Sequence, residues 1–370
     1  MSQYDKPRRR LWPVLVPFAL VVVLAILWTG FWFSAVSVAE TAIAGWRERE
    51  SRSGRDYACS QQSVGGFPFR IEVRCADPDI SLQRPDLKLR ASDLVVLAQV
   101  YQPTLLIAEV KAPMSVKEST QDYVANWKSA LASLRGTPRA PERVSIVFES
   151  PTLAQRNGGS LAALFFKADH VELHGRIADG TVTSNPVMDV ALIVAAAVAP
   201  ELHAITAQPL DVDITATLRG LADFAPKPWP TRLKELQLRG GRIEISKARL
   251  QQSDVIASSS GILGLTARGG LDGQLEIAVV NLDKAVKALD IERLMADSNL
   301  GARLDSLDRF IPGLGRIARQ NATPGALAAL NAIGRRTMLE GKQATTLPLR
   351  FSDGQVFLGP IPVGRVPPLF

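Results

Sequence analysis

His170 and His174 stand four residues apart, a spacing that on a helix turns two imidazoles toward one metal ion. Around them, however, Val171, Leu173 and Ile177 alternate with His170, Glu172, His174 and Arg176, the period of a half-buried strand. Positions four apart on a strand are about 13 Å from each other, too far to share an ion, so both imidazoles belong to the wet face of a sheet. His203 has no partner in the sequence. Asp77 and Asp79 flank Pro78 and imitate an acid–base carboxylate pair, but Asp-Pro-Asp is turn chemistry. The chain carries no Gly-x-Ser-x-Gly elbow, Walker A loop, dinucleotide fingerprint or His-Glu-x-x-His. Its glycine-rich stretches lie between strands, which removes the helix terminus that binds phosphate. The expectation is a non-catalytic protein without cofactor or metal.

The two cysteines, Cys59 and Cys75, supply with no nearby histidine only half a tetrahedral metal site. Outside the cytoplasm such a pair reads as a disulfide, whose loop closure stabilises by roughly 3 kcal/mol. Two buried free thiols are the competing reading. Within the loop, Gly65-Gly66-Phe67-Pro68 is a turn, and Phe69, Ile71, Val73 and Cys75 then alternate with Arg70, Glu72 and Arg74.

The elements that must position these residues are mostly strands. Leu210, Val212, Ile214, Ala216 and Leu218 alternate with polar neighbours, and Leu236 and Leu238 face Ile243 and Ile245 across Gly240-Gly241, the pattern of a hairpin. Further hairpins are expected from Gly261 through Gly269-Gly270 to Val279, and from Leu347 through Ser352-Asp353-Gly354 to Leu358. Val190 to Ala199 reads as a buried strand or core helix. Helix is expected at Leu282 to Ala296, at Ala302 to Arg319, and from Thr323-Pro324 through Arg335. The proline-rich tail from Gly359 suits only a sheet edge or rim. The fold class is α+β, mainly antiparallel β: a large curved sheet or sandwich with a small helical insert near the C-terminus.

Ahead of this body, Leu11 to Phe33 carries no charge and follows Lys6, Arg8, Arg9 and Arg10. Twenty-three residues cover the roughly 30 Å of a bilayer core, and the basic flank predicts a cytoplasmic N-terminus. A cleavable signal peptide is the alternative, disfavoured by the length and by Trp12, Trp28 and Trp32 near the two ends. The predicted organisation is a cytoplasmic arm (1–10), a transmembrane helix (11–33), a helical stalk in water (34–55), a β-rich domain (56–281), a helical insert (282–340) and a closing hairpin with its tail (341–370). With 46% hydrophobic and 21% charged residues the chain should fold, having a mean hydropathy of +0.08. Four bases and Asp5 in the arm carry +3 of the formal +7, leaving too little on the body to argue for nucleic acid.

The anchor, the Cys59 to Cys75 loop, Val100-Tyr-Gln-Pro103 and the ending Asp353-Gly-Gln-Val-Phe-Leu-Gly-Pro-Ile-Pro-Val-Gly-Arg-Val-Pro-Pro368 resemble the alphaproteobacterial family labelled domain of unknown function 2125. The hairpins between Leu233 and Val280 are more weakly similar to AsmA-like periplasmic proteins. The resemblance implies an inner-membrane protein with a periplasmic β-rich body, and it transfers no catalytic residue. Two functions fit. In one, an apolar sheet face stays open as a groove lined by Val212, Ile214, Ile277 and Val279, and handles lipid or another hydrophobic envelope component. In the other, the groove is a closed core and the protein is a membrane-tethered scaffold that binds envelope proteins through sheet edges.

Overall fold

The computed structural model describes residues 12–83, 86–118, 121–137, 140–157, 160–202, 204–225, 227–288, 330–359 and 361–370. Helix α1 (Trp12–Arg52) has 41 residues and is about 60 Å long. Among the described residues it alone is apolar and long enough to cross a membrane, as a single-pass anchor or a signal sequence would. Its second half does not stand free in water as the expected stalk. It lies against the sheet, and Trp46 packs on Tyr57 with ring centroids 4.6 Å apart.

The strands of the first half come in pairs that alternate between two antiparallel sheets. The smaller sheet orders as β1 (Arg55–Ala58), β4 (Asp79–Leu82), β5 (Leu87–Arg90), β8 (Met114–Glu118), β9 (Gln121–Asn126), β12 (Thr152–Asn157) and β13 (Ser160–Lys167). The larger begins with β2 (Gln61–Gly65), β3 (Arg70–Ala76), β6 (Asp93–Gln99), β7 (Gln102–Lys111), β10 (Ser129–Thr137), β11 (Ala140–Glu149) and β14 (His170–Thr181). Two-residue corners carry the chain from one sheet to the other, as at Asp77-Pro78, Ala91-Ser92 and Ser150-Pro151. The corners hydrogen-bond to one another: the Ala91 amide donates to the Pro78 carbonyl (3.1 Å) and the Ser150 amide to that of Asp169 (2.8 Å). The two sheets are thus halves of one set of long bent strands meeting along a seam. Proline supplies no ladder N–H there, and Asp77 and Ser150 turn the chain at positive φ. Small or cyclic side chains, Pro78, Ala91, Pro151 and Ala168, are buried along the seam.

Beyond it the larger sheet continues alone through β15 (Ser184–Ala197), β16 (Leu210–Arg219), β17 (Arg242–Gln252), β18 (Val255–Leu265), β19 (Leu271–Val280), β21 (Lys342–Ser352), β22 (Gln355–Leu358) and β23 (Ile361–Arg365), with β20 (Arg335–Leu339) paired to β21. This 16-stranded sheet is open, ending at β2 and β23, and the proline-rich tail forms the last edge as its composition predicts. The expected β18–β19 and β21–β22 hairpins are present.

Leu236 and Leu238 are not in a strand. Trp229–Leu238 forms helix α2, opened by proline in its first turn, and Leu236 is buried while Leu238 is 73% exposed. Lys, Glu, Gln and Leu are strong helix formers, and a two-residue alternation is too short to outweigh them. Helix α3 (Leu282–Ala288) starts the predicted insert, whose part from 289 to 329 lies outside the described residues. The expected helix does not reach Arg335, where β20 begins, because Arg335–Leu339 pairs with β21 around Glu340-Gly341.

Candidate functional site

Register across the large sheet puts like with like. One row of cross-strand partners runs Val64, Val73, Val96, Ala108, Ala132 and Ile146 over the first six strands. It continues through Leu173, Leu192, Ile214 and Ala248 to Ser259, Ile277 and Leu347. Two residues away on the same face, Ile71, Ala98, Leu106, Leu134 and Val144 lead through Gly175, Val190, Ala216 and Ile245 to Gly261, Leu275, Leu349 and Leu358. A third row joins Ala130, Phe148, Val171, Val194, Val212, Leu250, Ala257 and Val279. None of these residues is charged. At the spacing of adjacent strands, the stripe is about 55–60 Å long and, over the strands from β10 to β19 that carry the third row, about 14 Å wide. The opposite face is mixed, with Arg74, Glu109, Glu172, Asp213 and Arg249 in one row.

Each end of the stripe carries a helix. At the first strands, Phe31, Ala35, Val38 and Ile43 of α1 face Ile71, Val73, Val96, Ala98 and Leu106 across an apolar cavity of about 570 Å³. At the far end, Val279 and Leu347 are buried against Leu282 and Val286 of α3 and against Leu330, with Ile277 packed on the same cluster. Between these ends Leu173 is 42% and Leu250 39% exposed on the apolar face. The four groove residues predicted from sequence share this face but divide between two settings. Ile277 and Val279 belong to the helix-covered core, so the expectation that they line an open groove is corrected there: α3 supplies the cover. Val212 and Ile214 are half-buried on the stretch between the helices. The role of α1 was missed, although Phe31, Ala35, Val38 and Ala42 repeat at helical spacing past the end of the predicted span.

Cys59 and Cys75 are disulfide-bonded with Cα atoms 5.3 Å apart, tying the chain just after β1 to β3 across the seam, and Arg47 of α1 donates to the Cys59 sulfur (3.1 Å). His170 and His174 lie on the polar face, as the alternation requires. Glu172 sits between them, 2.6 Å from His170 Nε2 and 2.8 Å from His174 Nε2, and Glu149 is 2.9 Å from His170 Nδ1. Hydrogen bonds to Glu172 and then Glu149 raise the His170 pKa, while those from His174 and His170 lower that of Glu172. Asp79 pairs with Arg90, and Asp77 accepts from the Ser60 hydroxyl (3.0 Å), so both carboxylates serve the turns. His203 lies outside the described residues. Among the described residues, no three His, Cys, Asp or Glu side chains are grouped to hold a metal.

No curated protein matches the chain. The sequence pattern of one family does, over residues 32–367, from the tryptophan at which α1 meets the sheet almost to the C-terminus. The chain belongs to that family, described as an uncharacterized protein conserved in bacteria, DUF2125.

Proposed function

We propose that this protein is a non-catalytic, membrane-tethered carrier for lipid or another apolar component of the cell envelope, held along the apolar face of the large sheet. The observation that carries the reading is a charge-free register over thirteen strands, apolar but for Ser259, starting at a cavity walled by the membrane helix itself. An uncleaved anchor is favoured because α1 lines that cavity and α1's Trp46 packs on Tyr57 of the smaller sheet. The basic arm supports a cytoplasmic N-terminus, and the disulfide supports an oxidising compartment for the body, hence the inner membrane and the periplasm. Alkaline phosphatase fused to the C-terminus should then be active.

Leu173 and Ile193 lie on adjacent strands, on opposite faces, with exposures of 42% and 39%. A photoreactive residue at Leu173 should crosslink lipid in cells, and one at Ile193 should not. Equal labelling at both positions, or none at Leu173, refutes the carrier reading and leaves the protein-binding scaffold as the better account.

A further inference from the structure

We infer that the tip of the β2–β3 hairpin is a second membrane-contact element, with Phe67 and Phe69 seated in the interfacial layer of the leaflet from which α1 emerges. The inference rests on α1 spanning the bilayer and does not require lipid carriage. Trp12 and Trp32 are twenty residues apart on α1, about 30 Å along the axis, the thickness of a bilayer core. With the 75% exposed Trp12 at one interface, Trp28 and Trp32 reach the other.

The hairpin tip is fixed to that turn of the helix. Trp28 Nε1 donates to the Pro68 carbonyl (2.9 Å) and Trp32 Nε1 to that of Arg70 (3.0 Å). The Trp32 ring meets Phe67 edge-on at 5.4 Å, and Trp28 meets Phe69 at 6.3 Å. Trp32 is only 5% exposed beneath this contact, yet Phe67 is 52% and Phe69 63% exposed. Two exposed phenylalanines on a tip bound to the end of a membrane span put their free faces at the depth where aromatic rings are favoured.

Four carbonyls of the tip are paired within the protein. Gly66 accepts from the Arg70 amide (3.1 Å), Phe69 accepts from the Val100 amide (3.0 Å), Pro68 and Arg70 accept from the two indoles, and Pro68 has no N–H to satisfy. A turn with these four carbonyls paired internally suits a site poor in water. The bond to Val100 brings the neighbouring β6–β7 tip, with Tyr101 69% exposed, to the same level.

An environment-sensitive fluorophore tests this on the full chain carrying Phe69→Cys or Tyr101→Cys, in vesicles of phosphatidylethanolamine and phosphatidylglycerol. Met338→Cys, 63% exposed on β20, serves as the control. Lipid bearing a doxyl group near its headgroup should quench the probes at 69 and 101, and aqueous iodide should leave them several-fold less quenched than the probe at 338. Iodide quenching at 69 and 101 equal to that at 338 overturns the inference, as does protection from both quenchers, which would mean that a protein covers the tip. Flotation with the vesicles and resistance to carbonate extraction check α1 separately. Loss of either removes the anchor and the inference together, whereas a floating, carbonate-resistant protein with an iodide-exposed Phe69 removes the tip contact alone.

Discussion

Ile214 and Val279 occupy neighbouring rows of one apolar face, and a carboxylate placed at each should have very different consequences. Val279 is 7% exposed among Leu282, Val286, Leu330 and Leu347. Val279→Glu forfeits about 1.5–3 kcal/mol of side-chain burial. Keeping the new carboxyl protonated at pH 7, against an ordinary pKa near 4.3, costs about 4 kcal/mol more. Together these approach the whole stability of an ordinary domain, about 5–15 kcal/mol, so the variant should fail to accumulate as folded protein. Ile214 is half-buried between Leu192 and Ala248 and, among the described residues, belongs neither to the cavity lined by α1 nor to the cluster around α3. Ile214→Glu should lose about half of the burial free energy, roughly 1 kcal/mol, and its carboxylate should stay hydrated. The matching fall in melting temperature is about 2–4 °C or less. Near-ultraviolet circular dichroism melts of the detergent-extracted protein measure the first effect, and mass spectrometry of co-purified lipid the second. The expected result is a folded Ile214→Glu protein stripped of lipid. If Ile214→Glu collapses as Val279→Glu does, the apolar face is closed at Ile214 and the carrier reading fails there.

Cys75→Ser should cost about 2–5 kcal/mol, because the bond closes the seam at its first corner, and parent protein denatured without reductant should show no alkylatable thiol. His170 should titrate above an ordinary imidazole in an NMR pH series, and Glu172→Gln should bring its midpoint down. Because the folded-state pKa is the higher one, the stabilisation from this contact is complete below the unfolded pKa near 6.5 and disappears as pH rises through the folded value. Gly261→Ala should lower the melting temperature: Gly261 has φ of +148°, and a Cβ there would sit 2.2 Å from the Gln274 carbonyl oxygen, so strain of about 1–3 kcal/mol is added to a backbone clash.

Local patterns in the sequence were sufficient for several long strands, not for the helix at Trp229–Leu238 and not for the assembly of the sheets. Alternation at Leu210 to Leu218 and at Val171 to Ile177 identified β16 and β14 and assigned their faces, since the period of two needs no tertiary information. The disulfide followed from cysteine count and spacing. The bent strands did not, because a two-residue corner such as Ala91-Ser92 looks like any interruption between strands until the hydrogen bonds of neighbouring corners are known. The candidate site was half legible. Val212, Ile214, Ile277 and Val279 were correctly placed on one face, but which of them a helix covers depends on where α3 and Leu330 pack, a contact between segments far apart in sequence.

The same register limits how the apolar face can be covered. The smaller sheet continues only the strands from β2 to β14, so it cannot form the second layer of a sandwich over β15 to β23. A helix about 10 Å across spans two or three strands, which matches α1 over β3, β6 and β7 and α3 over β18, β19 and β21. Between them lie β10, β11, β14, β15, β16 and β17. Among the described residues this stretch is only partly covered: Ala130 and Val194 are buried and Phe224 faces Val144 and Gly175 across a cavity of about 220 Å³, but Leu173 and Leu250 stay exposed, and exposed apolar surface on one face marks an interaction site. Leu173 and Leu250 are exposed within this stretch, and the carrier reading makes them the first positions at which to test for contact with lipid. A scaffold working only through sheet edges would place no such demand on the face, and charged residues could interrupt these rows as they do on the opposite side.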